Sequence, residues 1–347
     1  MADGPSGRFV PGRELSAAFH AEVVGPLLAD LPHSAALLGT GSDVLGYDTP
    51  VSTDHGWGPR MQVFVAAHLV DRARRVLDAG LPDSFRGWPV RFGWDAVPVR
   101  HHVEVAELGA WLRDRLGFDA RDGVTTTDWL TTPQQALLEV TAGAVHLDHD
   151  GGLRRVQEAL AWFPPQVHRW LLACQWTRIG QEEAFVGRTA QVGDEPGSRL
   201  VAARLVRELM RAAFLLDGRY WPYTKWFGTA FARLPIAAAL GPALDRVLAA
   251  DAFPAREAAL VEAYGVVARA HNAAGVTEPV DPAVRPFHGR GFAVLGAERF
   301  AAACRRGLTD PWLLGLPPVG SVDQFADSTD VLSTAGVARR LRAVYST

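Results

Sequence analysis

The chain changes its apolar rhythm once, near residue 128, and that change restricts it to folds with two differently built parts. Before it, "HSAALLGTG", "MQVFVA", "PVRFGW" and "VRHHVEVAEL" are short runs of the length and alternation expected of strands. Between them, "AHLVDRARRVLDAG" and "AELGAWLRDRLG" carry apolar residues at helical spacing, as do residues 13–30. After it, "TDWLTTPQQALLEVTAG" reads as a helix capped by Asp128, and "AVHLDHDGG" as a short strand or hairpin. From Leu153 on, the 3.6-residue pattern dominates. The expected class is α+β. A small mixed-sheet domain over residues 1–130 is followed by a helical bundle over 131–347, whose C-terminal tail packs back toward the cleft of the first domain.

A length of 347 residues suffices for two modest domains. The formal charge of −3 supplies no bulk basic field for nucleic acid or an anionic membrane. The most apolar stretch, "FGTAFARLPIAAALGPALDRVLAA", is interrupted by Arg233, Pro235, Gly241 and Pro242 and does not read as a membrane span. Cys174 and Cys304 lie in apolar helical text without a CxxC, as buried thiols do in a reducing compartment. With no apolar signal-peptide core at the N-terminus, the expected location is cytoplasmic. Lys225 is the only lysine among 35 Lys and Arg, and it lies among aromatics in "RYWPYTKWFG".

The first strand runs into "GTGSDVLGYDTPVSTDHGWGPR". This turn lacks the third glycine of a dinucleotide fingerprint and the Gly-Lys-Ser/Thr ending of a P-loop. Its spacing resembles the nucleotidyltransferase superfamily: an apolar strand, Gly41-Ser42, a loop, then Asp54 twelve residues after Ser42. In that pattern the turn offers N–H groups and a hydroxyl to the outer phosphates of a nucleotide. Carboxylates at i and i+2 of the next strand share one face. With a third acid they hold divalent metal between triphosphate and attacking hydroxyl. Glu104, in "HHVEVAEL", is the candidate third acid. If Asp54 to Trp57 is a strand, Gly56 stands where the second carboxylate belongs, and His55 faces the other way.

Four segments in order, "GSDVLGYDTPVSTDHGWGPR", "DWLTTPQQALLEVTAGAVHLD", "RYWPYTKWFGTAF" and "GSVDQFADSTDVL", resemble the family termed domain of unknown function 4037, a distant branch of the nucleotidyltransferase superfamily. The resemblance extends from about Phe9 to the C-terminus and departs from the family pattern Asp-His-Asp-Trp-Gly-Pro-Arg at Gly56. It implies a nucleotidyltransferase-like sheet domain followed by helices. It further implies an enzyme that transfers a nucleoside monophosphate from an NTP to a small molecule bearing a hydroxyl or amine. In that reading Gly41 and Ser42 hold the triphosphate, Asp54 and Glu104 ligate Mg²⁺, and Lys225 neutralises the pyrophosphate leaving group. Asp48, Trp57, Arg188, Tyr223 and Trp226 complete the substrate-binding set, and Arg60 braces the turn.

The missing carboxylate at Gly56 motivates an alternative. A diverged cyclase, lyase or isomerase of specialised metabolism would use His55 or Asp54 as general acid or base. A non-catalytic ligand binder is the third reading. "HLDHDGG" reads as a polar turn, and adjacent His101 and His102 point to opposite faces of a strand, so at most one faces the cleft. Arg188 lies in a glycine-rich link suited to clamping phosphate, and "DQFADSTD" reads as a solvated acidic loop or helix cap. No Gly-x-Ser-x-Gly elbow and no HExxH occurs, which disfavours a serine hydrolase or zinc protease.

Overall fold

The computed structural model describes residues 8–346, which form two compact units. The first contains the chain up to Asp128, Gln135–Ala161 and Ser333–Arg339; the second contains Trp129–Gln134, Trp162–Leu332 and the chain from Arg340. This differs from a single cut at residue 130. Residues 135–161 go with the first unit because they carry one of its strands.

In the first unit, β1 (Ser34–Leu37), β2 (Arg60–Phe64), β3 (Arg91–Trp94), β4 (Val97–Ala106) and β5 (Ala144–Leu147) make one sheet of order β3-β4-β2-β1-β5. Only β2 and β4 pair in parallel, with Gln62 opposite Glu104; the other pairs are antiparallel, so the sheet is mixed. β1 is buried along its whole length, as befits a strand flanked on both sides. Its helices are α1 (Gly12–Phe19), α2 (Val70–Gly80), α3 (Leu108–Leu116), α4 (Gln134–Thr141, all but its first residue in this unit) and α5 (Gly152–Ala159). The helix read over residues 13–30 is α1 followed by a π-helical turn, His20–Val24.

Alternation assigns the two faces of this sheet. Met61, Val63, Val103 and Val105 turn to one face and are buried with Leu15 and Phe19 of α1 and Ala73 and Leu77 of α2. Arg60, Gln62, His102 and Glu104 turn to the other. α3 packs there through Trp111, whose ring meets Phe64 edge-on at 5.4 Å. α3 is capped by Glu107, which accepts the Ala110 N–H at 2.8 Å, and it ends at Gly117 in the left-handed region (φ 82°).

Residues 333–339 return to this unit. The helical turn Ala335–Ala338 packs on α3, Arg339 reaches the Asp128 carboxylate at 2.6 Å, and its guanidinium lies 5.7 Å from the Phe118 ring. Asp128 is not the cap of the helix that follows. It lies inside a short helix, Thr126–Thr131, and accepts the Thr125 N–H at 3.0 Å, so the helix read from 128 onward is two pieces, the second starting at Gln134.

The second unit is helical apart from one two-stranded pair, Arg285–Pro286 with Ala293–Val294. Its long helices are α6 (Pro165–Glu182), α7 (Glu195–Asp217), α8 (Thr224–Phe231), α9 (Ala237–Ala249), α10 (Phe253–Ala273) and α11 (Glu298–Arg306). Asp194 caps α7 by accepting the Gly197 N–H at 2.9 Å, Pro196 follows in its first turn, and Gly218 ends it with φ 66°. Glu208 is buried in α7, with Gln175 donating at 2.7 Å, Arg178 at 3.3 Å and Arg211 at 3.1 Å. Burial opposes ionisation of Glu208, but the two guanidinium groups outweigh it and lower its pKa. Cys174 and Cys304 are free, buried thiols whose pKa values burial raises, Cys304 to about 12. No helix among the described residues is long and apolar enough to cross a membrane.

One core contact fixes a tautomer. The Trp176 indole N–H donates to Nδ1 of the fully buried His271 at 3.1 Å, so Nδ1 carries a lone pair and the ring proton sits on Nε2, facing the Thr277 hydroxyl at 2.9 Å. Burial lowers the pKa of this ring to about 4. An NMR titration is therefore expected to show His271 as the neutral Nε2–H form down to about pH 4. A ring protonating near its ordinary value would contradict the arrangement.

Candidate functional site

The glycine turn after β1 is held by an ion pair. Arg60, the first residue of β2, reaches Asp43 through Nε at 2.9 Å and Nη2 at 2.6 Å, and its Nη2 also donates to the Thr40 carbonyl at 2.7 Å. Gly41 has φ +139°, and a Cβ there would lie 2.2 Å from Asp43 Oδ1 and 2.3 Å from Arg60 Nη2. The glycine therefore makes room for the pair. Arg60 braces the turn, and the anion-binding function expected of Gly41 and Ser42 has no visible cradle: the space over Gly41 is filled by the pair.

Beside this turn runs a groove of about 810 Å³, bordered by Gly39 and Thr40, by the exposed face of β4 and by the C-terminal part of α3. β3 pairs with β4 no further than His101, so residues 102–106 of β4 leave one edge open. The groove wraps around that edge. Both His101 and His102 border it as a result, where strand alternation had allowed at most one. Five arginines line it, Arg60, Arg74, Arg91, Arg100 and Arg115, against the carboxylates of Asp78 and Glu104. Arg74 donates to the open-edge carbonyl of Val105 at 2.9 Å, and Arg91 lies 3.6 Å from Asp83. Arg100 is exposed, and its side chain has neither hydrogen bond nor ion pair among the described residues. At one end, Trp94 and Phe92 pack around the His102 ring at 4.9 and 4.3 Å, and His102 Nε2–H donates to the Phe92 carbonyl at 2.9 Å. Burial lowers the His102 pKa; the carbonyl bond opposes this, and Arg100, Arg60 and His101 add to it, so the ring is neutral at pH 7.

The residues expected to hold Mg²⁺ are separated. Glu104 borders the groove. Asp54 does not: it ends a 3-10 helix, Pro50–Asp54, and lines a different, smaller hollow of about 180 Å³ with Trp57 and Trp88. Asp54 to Trp57 is not a strand, because β2 begins only at Arg60, and Gly56 (φ +64°) and Gly58 (φ +155°) turn the chain before it. The same-face argument for positions 54 and 56 therefore fails. A Cβ at Gly56 would lie 3.4 Å from the Trp94 ring, in the left-handed region that side chains avoid. No group of three or more His, Cys, Asp or Glu among the described residues could hold a metal ion. The residues present do not fit the Mg²⁺ site that the resemblance implies.

The remaining expected residues fall elsewhere. Asp48 Oδ2 accepts the Gly12 N–H at 2.7 Å and the Trp57 indole at 2.9 Å, and Trp57 is buried against Phe9 and Trp88. Both are structural, tying the start of α1 to the loop. His55 is exposed, 3.4 Å from Asp95 and 6.0 Å from the centre of the Trp94 ring. Lys225, Tyr223, Trp226 and Arg188 belong to the second unit. Lys225 lies at the start of α8 with Nζ 5.2 Å from the Trp226 ring. Arg188 is not in a link: it is in the helix Phe185–Gln191, exposed and 5.4 Å from the Phe185 ring. In the acidic "DQFADSTD" stretch, read as a solvated loop or helix cap, Asp323 is buried and accepts the N–H of Gln134, the first residue of α4, at 3.1 Å.

Sequence reasoning missed Glu139. It lies on α4, whose Glu139 carbonyl accepts the Gly39 N–H at 2.7 Å. Burial raises its pKa; the Gln135 amide and the charges of Arg115 and Arg60 oppose this. The signal lay in the quoted "QQALLEV", which local reading assigned to the helical domain.

Residues 129–227 match the family described as Domain of unknown function (DUF4037). This is the family to which the four segments pointed. The DUF4037 match takes in "WLTTPQQALLEVTAG" and "RYWPYTKWF", and the groove lies outside it. Among solved structures, a nucleotidyltransferase-like protein from Exiguobacterium sibiricum 255-15 is similar with a TM-score of 0.34 and 10% identity, over 76% of this chain and 77% of that one. No curated protein matches the chain.

Proposed function

We propose that the groove beside the glycine turn binds a phosphate-bearing small molecule, with a nucleoside triphosphate as the first candidate. The observation that carries this reading is the guanidinium lining: five arginines border the groove in a chain whose formal charge is −3. Local positive charge on a net-negative surface concentrates anions where field lines converge. Guanidinium groups bind phosphate through paired N–H donors. In the full reading, the protein then transfers the nucleoside monophosphate to a small hydroxyl- or amine-bearing acceptor.

A second reading is favoured by the separation of Asp54 from Glu104. The protein keeps the anion groove without nucleotidyl transfer, either as a diverged enzyme or as a non-catalytic binder.

Calorimetry with ATP, GTP, CTP, UTP and tripolyphosphate, with adenosine as the uncharged control, tests the groove. Binding of the phosphate compounds but not adenosine is expected, weakening as salt is raised. Arg100→Ala should weaken it by roughly tenfold or more, the worth of one charge-assisted contact. A protein indifferent to every phosphate compound would end the proposal.

A further inference from the structure

We infer that the groove takes its phosphate-bearing ligand without a divalent cation, and that the Arg115 guanidinium supplies the positive charge beside Glu104. The inference rests on the groove reading above and narrows it.

Three donors converge on a single oxygen of Glu104. Gln62 Nε2 lies 3.3 Å from Oε2, the Trp111 indole nitrogen 3.4 Å and an Arg115 Nη 3.7 Å. A Mg²⁺ placed on that oxygen would face three positively polarised N–H groups, one of them on a full cation. Magnesium also demands near-octahedral oxygen ligands and is held by carboxylates acting together with substrate phosphates. Here the second acid of the expected pair, Asp54, opens into a separate hollow. At Gly56, where the family pattern has its second carboxylate, a Cβ would lie 3.4 Å from the Trp94 ring.

Arg115 is placed for the substitution. Its guanidinium lies 5.6 Å from the Trp111 ring centre, and a Cβ on Gly39 would be 3.8 Å from its Cζ. It therefore stands between the glycine turn and Glu104. Its Nε is buried and has no hydrogen-bond partner, so the contacts to Glu104 and Trp111 do not exhaust the group. A planar, weakly hydrated cation in that position can meet phosphate oxygens directly.

The consequence is opposite in sign to a metal-dependent site. Mg²⁺ bound to ATP or tripolyphosphate cancels negative charge that the guanidinium groups would otherwise meet. Binding is therefore expected in EDTA and should be no tighter, or weaker, with excess Mg²⁺. Calorimetry with ATP and tripolyphosphate in the two conditions reads this on the unmodified protein. Arg115→Met should lose roughly tenfold or more in EDTA. Glu104→Gln should bind as well as the unmodified protein or better, since it removes a competing anion. Arg115→Lys, which keeps the charge but not the planar fork, should fall between. Binding that appears only with Mg²⁺ and vanishes in Glu104→Gln would overturn the inference while leaving the groove reading intact. Absence of binding in both conditions would remove the groove reading, and this inference with it.

Discussion

Asp43→Ala is expected to lower the stability of the first unit by about 3–5 kcal/mol, read as a shift of its urea or thermal midpoint. Asp43 is buried, and Arg60 is nearly so, with their side chains 2% and 11% exposed. Removing the carboxylate leaves the mostly buried guanidinium of Arg60 without its ion-pair partner, with the Thr40 carbonyl and the edge of the groove to meet it. The loss should spread to the turn, because Asp43 Oδ1 also accepts the Val44 N–H at 2.9 Å within the short helix Ser42–Leu45. A second variant separates the charge cost from the packing cost. Asp43→Ala combined with Arg60→Met removes both charges and should recover part of the loss, since an absent pair costs less than a broken one. A single variant within a few tenths of a kcal/mol of the unmodified protein would show that the pair does not hold the turn.

Asp323→Asn is expected to stabilise the second unit relative to the unmodified protein as pH rises. Asp323 is buried, and both its oxygens accept the Gln134 N–H at 3.1 Å. Burial raises its pKa from the ordinary 3.8 to about 7, against the opposing pull of the Gln134 N–H and the Arg211 charge. The folded state therefore holds a proton that the unfolded state has lost between these two values. Its contribution is complete below the lower value and disappears as pH climbs through the upper one. Asparagine keeps a carbonyl acceptor and does not titrate. The stability difference between variant and parent should move in favour of the variant by roughly 2–3 kcal/mol from about pH 5 to about pH 8. The slope of that difference is the test, whatever its offset. Parallel pH profiles for the two proteins would show that the carboxyl is not held in its neutral form.

Most of the sheet could be read from the residues. Alternating Val103 and Val105 against His102 and Glu104 gave β4, and Ala73 and Leu77 gave the buried side of α2. β5 could be read as a strand, but not as the partner of β1 across more than a hundred residues, because register between distant strands is not encoded locally. The mistaken strand at Asp54 came from motif spacing alone. "DHGWGP" has no apolar alternation, and its glycines at positive φ signal a turn. Of the groove's lining, the residues singled out in the sequence were Glu104, as an acid, and Arg60, as a brace of the turn; Gly41, Ser42, Asp48, Asp54 and Trp57 do not line it. Its other arginines were not legible, because 35 Lys and Arg include one lysine only, and an arginine in such a chain carries little local signal. Only the open edge of β4 and the helices beside it gather Arg74, Arg91, Arg100 and Arg115 into one place.

The strand order has a bearing on biosynthesis. β1, emerging early from the ribosome, keeps one flank bare until residues 144–147 are made, and the patch around Gly117 and Asp128 waits for residues 333–339. Cutting the gene after residue 130 would thus yield a polypeptide in which one edge of β1 is unpaired, prone to pair with its neighbours rather than fold. Anyone expressing the groove-bearing half alone should splice residues 135–161 back in.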